Sequence, residues 1–204
     1  MCSSDLVKVF KRGTHLTRIN NGLHGAEQIP LLMGEIRSRL ALGQYTEADE
    51  RQQYMYRVQL RSLNSGTPRA MALMQQAGWQ YSAYQLGLGE VGYPRLVNMW
   101  DLYLLALNDV IEMEGETSPA LLEPLEGMLQ AQYLIAGYDG GTETAGFSSD
   151  TYDNRQQQGR FYAYRSQSYE KGQAVINAIY DIRREQHGAD SVETAEARLR
   201  LGAW

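Results

Sequence analysis

Cysteine and histidine are both scarce in this chain, and their scarcity excludes several kinds of site. Cys2 is the only cysteine among 204 residues, so the chain cannot form an internal disulfide or a cluster of thiolate ligands. The three histidines, His15, His24 and His187, are far apart and show no spacing typical of a metal site. The sequence therefore predicts no metal centre and no cofactor.

Residues 1–6, MCSSDL, lack the pattern of any folded element. We interpret them as a scar derived from a sequencing adapter and leave them out of the reasoning about the fold. A native, frayed N-terminus is the alternative interpretation. If the segment is a scar, the rest of the chain contains no cysteine, which also removes a cysteine nucleophile.

The chain has neither an excess of positive charge nor a long apolar run. Its formal net charge is −5 at pH 7, whereas general nucleic-acid binders usually present a basic face. No apolar run reaches the length needed to cross a bilayer. At 43% hydrophobic and 21% charged residues, the composition is that of a globular protein with a sizeable core. We therefore expect neither a nucleic-acid partner nor a membrane span.

Sequence motifs of common enzymes are lacking too. GLGEVG at residues 87–92 matches the dinucleotide-binding pattern G-x-G-x-x-G letter for letter. A predicted helix and not a strand precedes it, so we interpret it as a turn between helices. No HExxH, GxSxG or phosphate-binding loop is found. Glu112, Glu114 and Glu116 cluster at the end of a predicted helix and are interpreted as solvated charge. The sequence therefore predicts a protein without catalytic activity.

Apolar residues recur at helical spacing along nearly the whole chain. Trp100, Leu104, Leu107 and Ile111, for example, stand at i, i+4, i+7 and i+11, which places them on one helix face. Strand-like alternation of apolar and polar residues is almost absent. The predicted fold class is all-α.

Three connectors between predicted helices share a form: LNSGTP, EGETSP and HGADSV. About three helical turns after each connector comes a small residue and then an aromatic one. We interpret this recurrence as a repeating helical hairpin that buries its apolar face by stacking on its neighbours. The small residues would let helices approach closely and the aromatic residues would fill the gap between hairpins; an aromatic ligand pocket is the alternative. The three triplets are Ala77-Gly78-Trp79, Ala131-Gln132-Tyr133 and Gly202-Ala203-Trp204.

The segment GQYTEADE carries the Gly-x-Tyr-x-x-Ala turn typical of tetratricopeptide repeats, in Gly43, Tyr45 and Ala48. LRSLNSGTPRAMALMQQAGWQY resembles the longer-repeat variety of that family, and residues 10–61 are similar to uncharacterised tetratricopeptide proteins of gammaproteobacteria. The resemblance implies a right-handed α-α superhelix, a solenoid of stacked hairpins, that binds a protein or peptide partner in a groove. It also implies the bacterial periplasm or envelope as the location, with the cytoplasm as the alternative.

The resemblance divides the chain into repeats at residues 7–138 and 161–204, separated by a flexible insert at residues 139–160. The insert is rich in Gly, Ser, Thr, Asp and Gln, which is typical of a binding loop or of disorder. Arginines alternate with aromatic residues just beyond it, a pattern that could stack on single-stranded bases. We prefer packing of Phe161, Tyr164 and Tyr169 beneath the insert.

Both ends of the chain look like halves of hairpins. Residues 7–23 resemble a second helix without its first, and residues 195–204 a first helix without its second. We therefore expect a fragment with an exposed apolar face at each end, formed by Leu199, Leu201 and Trp204 at the C-terminus. The functional hypothesis is a protein- or peptide-binding scaffold; the alternatives are a helical enzyme with two facing carboxylates and a structural segment of a larger assembly.

Overall fold

Every regular element in the part of the chain that the structure describes is helical. The structure is a computed structural model, and it describes residues 3–89, 92–138 and 152–204. The all-α prediction is confirmed for these residues. The helices are α1 (Ser3–Asn21), α2 (Ile29–Ala41), α3 (Tyr45–Ser62), α4 (Thr67–Gln85), α5 (Tyr93–Glu114), α6 (Leu122–Gly137), α7 (Tyr152–Ser166), α8 (Ser168–His187) and α9 (Val192–Ala203), with short 3₁₀ turns at Ala26–Gln28 and Pro119–Leu121.

Local sequence sets where these helices begin and end. Proline lies in the first turn of α2, α4 and α5, where its missing N–H costs nothing. The side chain of Ser191 caps α9 by accepting a hydrogen bond from the Thr194 amide at 3.1 Å. Gly43, with φ at +72°, makes the turn between α2 and α3, a conformation that other residues rarely adopt.

Helices that follow one another in the chain pack together from α1 to α6, and α8 packs on both α6 and α9. The short helix α7 lies against α5 and α6. Helices that do not follow one another in the chain also meet: Asp49 of α3 pairs with Arg95 of α5, and Glu126 of α6 with Arg200 of α9. This order places α3 and α5 on either side of α4.

Two apolar clusters form most of the core. The larger draws on α4, α5, α6, α8 and α9 and includes Met99, Leu129 and Ile176, which are almost fully buried. The smaller joins α2, α3 and α4 around Leu32 and Met55. A third, aromatic cluster joins α5 and α6 to α7.

Close approach between helices occurs at glycines other than the predicted ones. A Cβ atom at Gly78 or Gly202 would meet nothing within 4 Å, so the expectation that these two residues admit a neighbouring helix is wrong. A Cβ atom at Gly127 would lie 2.3 Å from the Tyr103 ring, and one at Gly172 would lie 1.9 Å from the Trp204 ring. Helix contact here depends on where large rings lie, which the small-then-aromatic pattern does not specify.

The predicted insert differs from the structure where the two can be compared. Residues 139–151 lie outside the described residues. Residues 152–160, which we also assigned to the insert, form the first part of α7, so that boundary is wrong. Arg and Gln have favourable helix propensities, and they dominate this part of the sequence.

The aromatic residues after the predicted insert have different surroundings. Phe161 is buried against Tyr93 and Tyr138, and Tyr164 is half-buried beside Trp100. Tyr169, which we expected to pack as well, is 59% exposed. Whether any of them lies beneath the insert concerns residues outside the described ranges.

Apolar side chains are exposed on both the first and the last helix. On α1 these are Val9, Leu16 and Ile19, and on α9 Leu199 is 73% exposed. Trp204 differs from the expectation: it packs on Gly172 and on the Tyr133 ring, and its indole N–H donates to the Tyr169 carbonyl at 2.9 Å. None of the helices in the described residues combines the length and apolarity that a bilayer crossing needs.

Candidate functional site

A groove of about 550 Å³ runs between α3 and α5, with α4 as its floor. Its lining combines side-chain amides, two arginines and apolar groups. The lining residues are Gln53, Tyr56, Arg57, Gln76, Gln80, Leu88, Gly89, Pro94, Arg95, Asn98, Asp101, Leu102 and Leu105. Volumes of this size are typical of ligand-binding clefts.

A buried ion pair forms the base of the groove. The Arg95 guanidinium of α5 donates to both carboxylate oxygens of Asp49 on α3, at 3.1 and 2.6 Å. The Trp79 indole N–H donates to the same carboxylate at 2.7 Å. Burial alone would raise the pKa of Asp49, but the hydrogen bonds from Arg95, Trp79 and Gln53 outweigh it and hold that pKa below its ordinary value. Asp49 is therefore ionised at neutral pH and fixes α3, α4 and α5 relative to one another.

This ion pair also determines how two glutamine amides are oriented. Arginine can only donate, so the amide oxygen of Gln80 must face Arg95, at 3.2 Å. An ionised carboxylate can only accept, so the Nε2 of Gln53 must face Asp49, at 3.1 Å. Among the described residues no protein group bonds to the Gln80 Nε2 or the Gln53 Oε1. Gln80 thus presents a hydrogen-bond donor to the groove, and Gln53 presents an acceptor.

A third glutamine lines the groove, but its partner is another amide and not an ion. Gln76 is 2% exposed, and its amide oxygen accepts from Gln52 of α3 at 3.1 Å. Its Nε2 has no protein partner in the described part of the chain. Asn98, one helix over on α5, is exposed and makes no hydrogen bond to another described residue, so both ends of its amide are available. Four side-chain amides therefore supply hydrogen-bonding groups to one groove.

Apolar groups border this array. Leu88 and Pro94 lie beside the amides near the start of α5, while Leu102 and Leu105 continue the lining along that helix. Tyr56 faces them from α3, and burial raises the pKa of its hydroxyl. Leu105 is 49% exposed, so part of this apolar surface is open to a ligand.

The far end of the groove meets α7. Asp101 pairs with Arg160, and the Tyr164 hydroxyl donates to it at 2.5 Å. The Lys171 ammonium lies 3.6 Å from the centre of the Tyr164 ring, and burial lowers the pKa of that lysine. Asp101 is the one carboxylate among the described lining residues. The described part of this groove therefore does not contain two facing carboxylates.

The residues singled out from the sequence lie apart from this groove. Ala48, Ala77 and Ala131 are fully buried in the apolar clusters. Gly43 and Tyr45 stand at the turn into α3, where Tyr45 is 42% exposed. Trp79 is buried, whereas Tyr133 is half-exposed and meets the Trp204 ring edge to face, with ring centres 4.5 Å apart. Gly202 is exposed on α9.

Reasoning from the sequence missed the groove residues, and only part of the omission could have been avoided. Glutamine on a helix is usually solvent-exposed, so nothing marked Gln76 or Gln80 as buried. Asp49 and Arg95 are separated by 46 positions, which no local pattern connects. The Pro94–Arg95 start of α5 beside a predicted turn was the available signal, because turns at helix ends often border binding sites.

Within the described residues, no three His, Cys, Asp or Glu side chains are close enough together to hold a metal ion. Neither the models of known protein families nor the curated proteins contain a match to this chain.

Proposed function

We propose that this protein is a tetratricopeptide-like solenoid without catalytic activity, and that it binds a peptide segment of a partner protein in the groove between α3 and α5. Packing of consecutive helices from α1 to α6, together with the ion pair between α3 and α5, supports the solenoid. So does the Gly-x-Tyr-x-x-Ala turn, since Gly43 makes the turn and Ala48 is fully buried just after it.

The oriented amides are the observation that carries the binding proposal. A peptide backbone presents N–H and C=O groups in alternation, and each needs a partner when it leaves water. Gln76 and Gln80 offer donors, Gln53 offers an acceptor, and Asn98 offers both. Because the buried ion pair holds two of these amides in place, little side-chain entropy is lost on binding.

The apolar border supplies the second requirement of a peptide site. Hydrogen bonds exchanged with water give little net affinity, so a bound peptide also needs apolar anchors. Leu102, Leu105 and Tyr56 form such a surface next to the amides. We infer that the ligand is an extended segment with one or two large apolar side chains and no dense charge.

Selection from a random dodecapeptide display library, followed by fluorescence anisotropy with the synthetic peptides, tests this proposal. Asn98→Ala removes an exposed amide from the groove and should weaken binding about fivefold to tenfold, the effect of one lost hydrogen bond. Leu105→Ala should weaken it by a similar factor.

Gln130→Ala is the matched control, since Gln130 is an exposed amide on α6 outside the groove. It should leave the affinity unchanged. Selected peptides that bind equally well to the Asn98→Ala, Leu105→Ala and Gln130→Ala proteins would overturn the proposal, and so would a library that yields no binding peptide.

A further inference from the structure

A second cleft, between α1 and α3, has a charge opposite to that of the whole chain. It is an open cleft of about 530 Å³, and its lining contains five cationic side chains and two carboxylates. The chain as a whole carries a net charge of −5. The lining residues are Lys11, Arg18, Arg39, Glu47, Glu50, Arg51, Tyr54 and Arg57, of which only Arg57 also lines the groove described above.

On one wall of this cleft, two cations share a buried carboxylate within the protein. Glu35 is fully buried, and its Oε1 atom accepts from Arg39 at 2.9 Å and from Arg51 at 3.0 Å. Arg39 is itself buried, whereas the side chain of Arg51 is 33% exposed and reaches the cleft. The wall therefore holds two guanidinium groups in place around one carboxylate.

The other cations of the cleft lack such a partner. Lys11, Arg18 and Arg57 form no ion pair with any described carboxylate. The guanidinium groups of Arg18 and Arg57 both lie near the Tyr54 ring, 5.7 and 5.9 Å from its centre. Two like charges held at one ring repel each other, and a bound anion would relieve that repulsion.

Desolvation and the positive charge near the cleft both lower the pKa of a neighbouring histidine, His24. The pKa of His24 lies below its ordinary value because of desolvation and then of Arg61, Arg18 and Arg57. Its ring lies 2.9 Å from Arg61. The positive potential thus extends beyond the cleft lining itself.

The arrangement favours a compact ligand over a polymer. The cations come from three helices and line one cleft, whereas a polymer site needs charges distributed along the path of the polymer. Glu47 and Glu50 line the same cleft and would repel a polyanion that continued past it. The guanidinium groups of Arg18 and Arg57 both lie near the Tyr54 ring, and the Tyr54 hydroxyl donates to Gln28 at 3.0 Å. The ring is therefore not free to stack on a nucleic-acid base.

We propose that this cleft binds a compact polyanion, a small molecule with two or more phosphate or carboxylate groups. Its volume suits such a molecule, and arginine forks suit both kinds of oxyanion. The cleft shares only Arg57 with the described lining of the peptide groove, so variants at the other residues test the two proposals independently.

Isothermal titration calorimetry of the full chain with tripolyphosphate and with citrate tests the site. At low salt at least one of them should bind, and the double variant Lys11→Ala/Arg18→Ala should bind it about tenfold more weakly. Tighter binding of tripolyphosphate would identify phosphate as the preferred group, and tighter binding of citrate would identify carboxylate. Either result supports the proposal.

The double variant Lys8→Ala/Arg12→Ala is the matched control. It also removes one lysine and one arginine from α1, but at exposed positions that do not line the cleft. It should bind like the wild type, and Leu105→Ala, which alters the peptide groove, should as well.

Three results would overturn the proposal. One is equal loss of binding in both double variants, which would mean a general charge effect. Another is tighter binding of octaglutamate or of an oligothymidylate than of either small polyanion, which would mean a polymer site. The last is an absence of binding by both small polyanions.

Discussion

The two halves of the molecule are held together by different chemistry. From α2 to α4 the interior is rich in polar groups, including the buried Gln28, Glu35, Arg39, Asp49, Gln52, Gln59, Gln76 and Gln80. From α5 to α9 aliphatic side chains dominate, as in Met99, Leu129 and Ile176. Both proposed binding sites border the polar half.

The comparison teaches that the buried polar network serves positioning more than stability. A buried ion pair is often no more stabilising than well-packed apolar residues of similar volume. The network does, however, orient Gln53 and Gln80 toward the groove and Arg51 toward the cationic cleft. The aliphatic half, which has no such task in this account, supplies apolar burial.

Removal of Glu35 from the polar half should have the largest effect on stability. Glu35→Ala would leave the charges of Arg39 and Arg51 without their buried partner and should lower the free energy of unfolding by about 3–5 kcal/mol, measured by urea denaturation. Glu50→Ala, at an exposed position, should change it by less than about 0.5 kcal/mol. Equal effects of the two substitutions would show that the buried network is not a structural unit.

A smaller effect is expected at Asp49, and it should depend on pH. Asp49→Asn removes the ionic partner of Arg95 and should cost about 2–3 kcal/mol at pH 7. Because folding lowers the pKa of Asp49, the stabilisation is fully present above its ordinary pKa of 3.8 and is lost as the pH falls through the lower folded value. The stability difference between wild type and variant should therefore shrink below pH 4. A difference that stays constant down to pH 3 would contradict this account.

Glycine substitutions, one in each half, should have a still smaller effect. Gly127→Ala places a Cβ atom against the Tyr103 ring and should destabilise the protein by about 1–2 kcal/mol. Gly78→Ala, on a helix with open space around it, should instead stabilise by about 0.5–1 kcal/mol. Thermal unfolding of both variants measures the contrast, and a gain in stability from Gly127→Ala would show that Tyr103 does not hold α6 close.

The sequence predicts the helical class because that class depends on local periodicity. Ala48, Ala77 and Ala131, which we singled out as repeat positions, are fully buried. The groove depends instead on pairings across the fold, such as Gln52 with Gln76 and Asp49 with Arg95, which periodicity cannot register. For Trp79, the pattern predicts that the side chain is buried, but it does not predict the hydrogen bond to Asp49.

NMR titration of the ¹⁵N-labelled protein with a library-selected peptide shows whether the peptide contacts the groove amides. The side-chain amide signals of Gln53, Gln76, Gln80 and Asn98 should shift on titration, because these groups exchange water for peptide partners. Signals from the exposed surface of α9 around Leu199 should remain in place. Shifts concentrated on α9, with the four groove amides unchanged, would contradict the account.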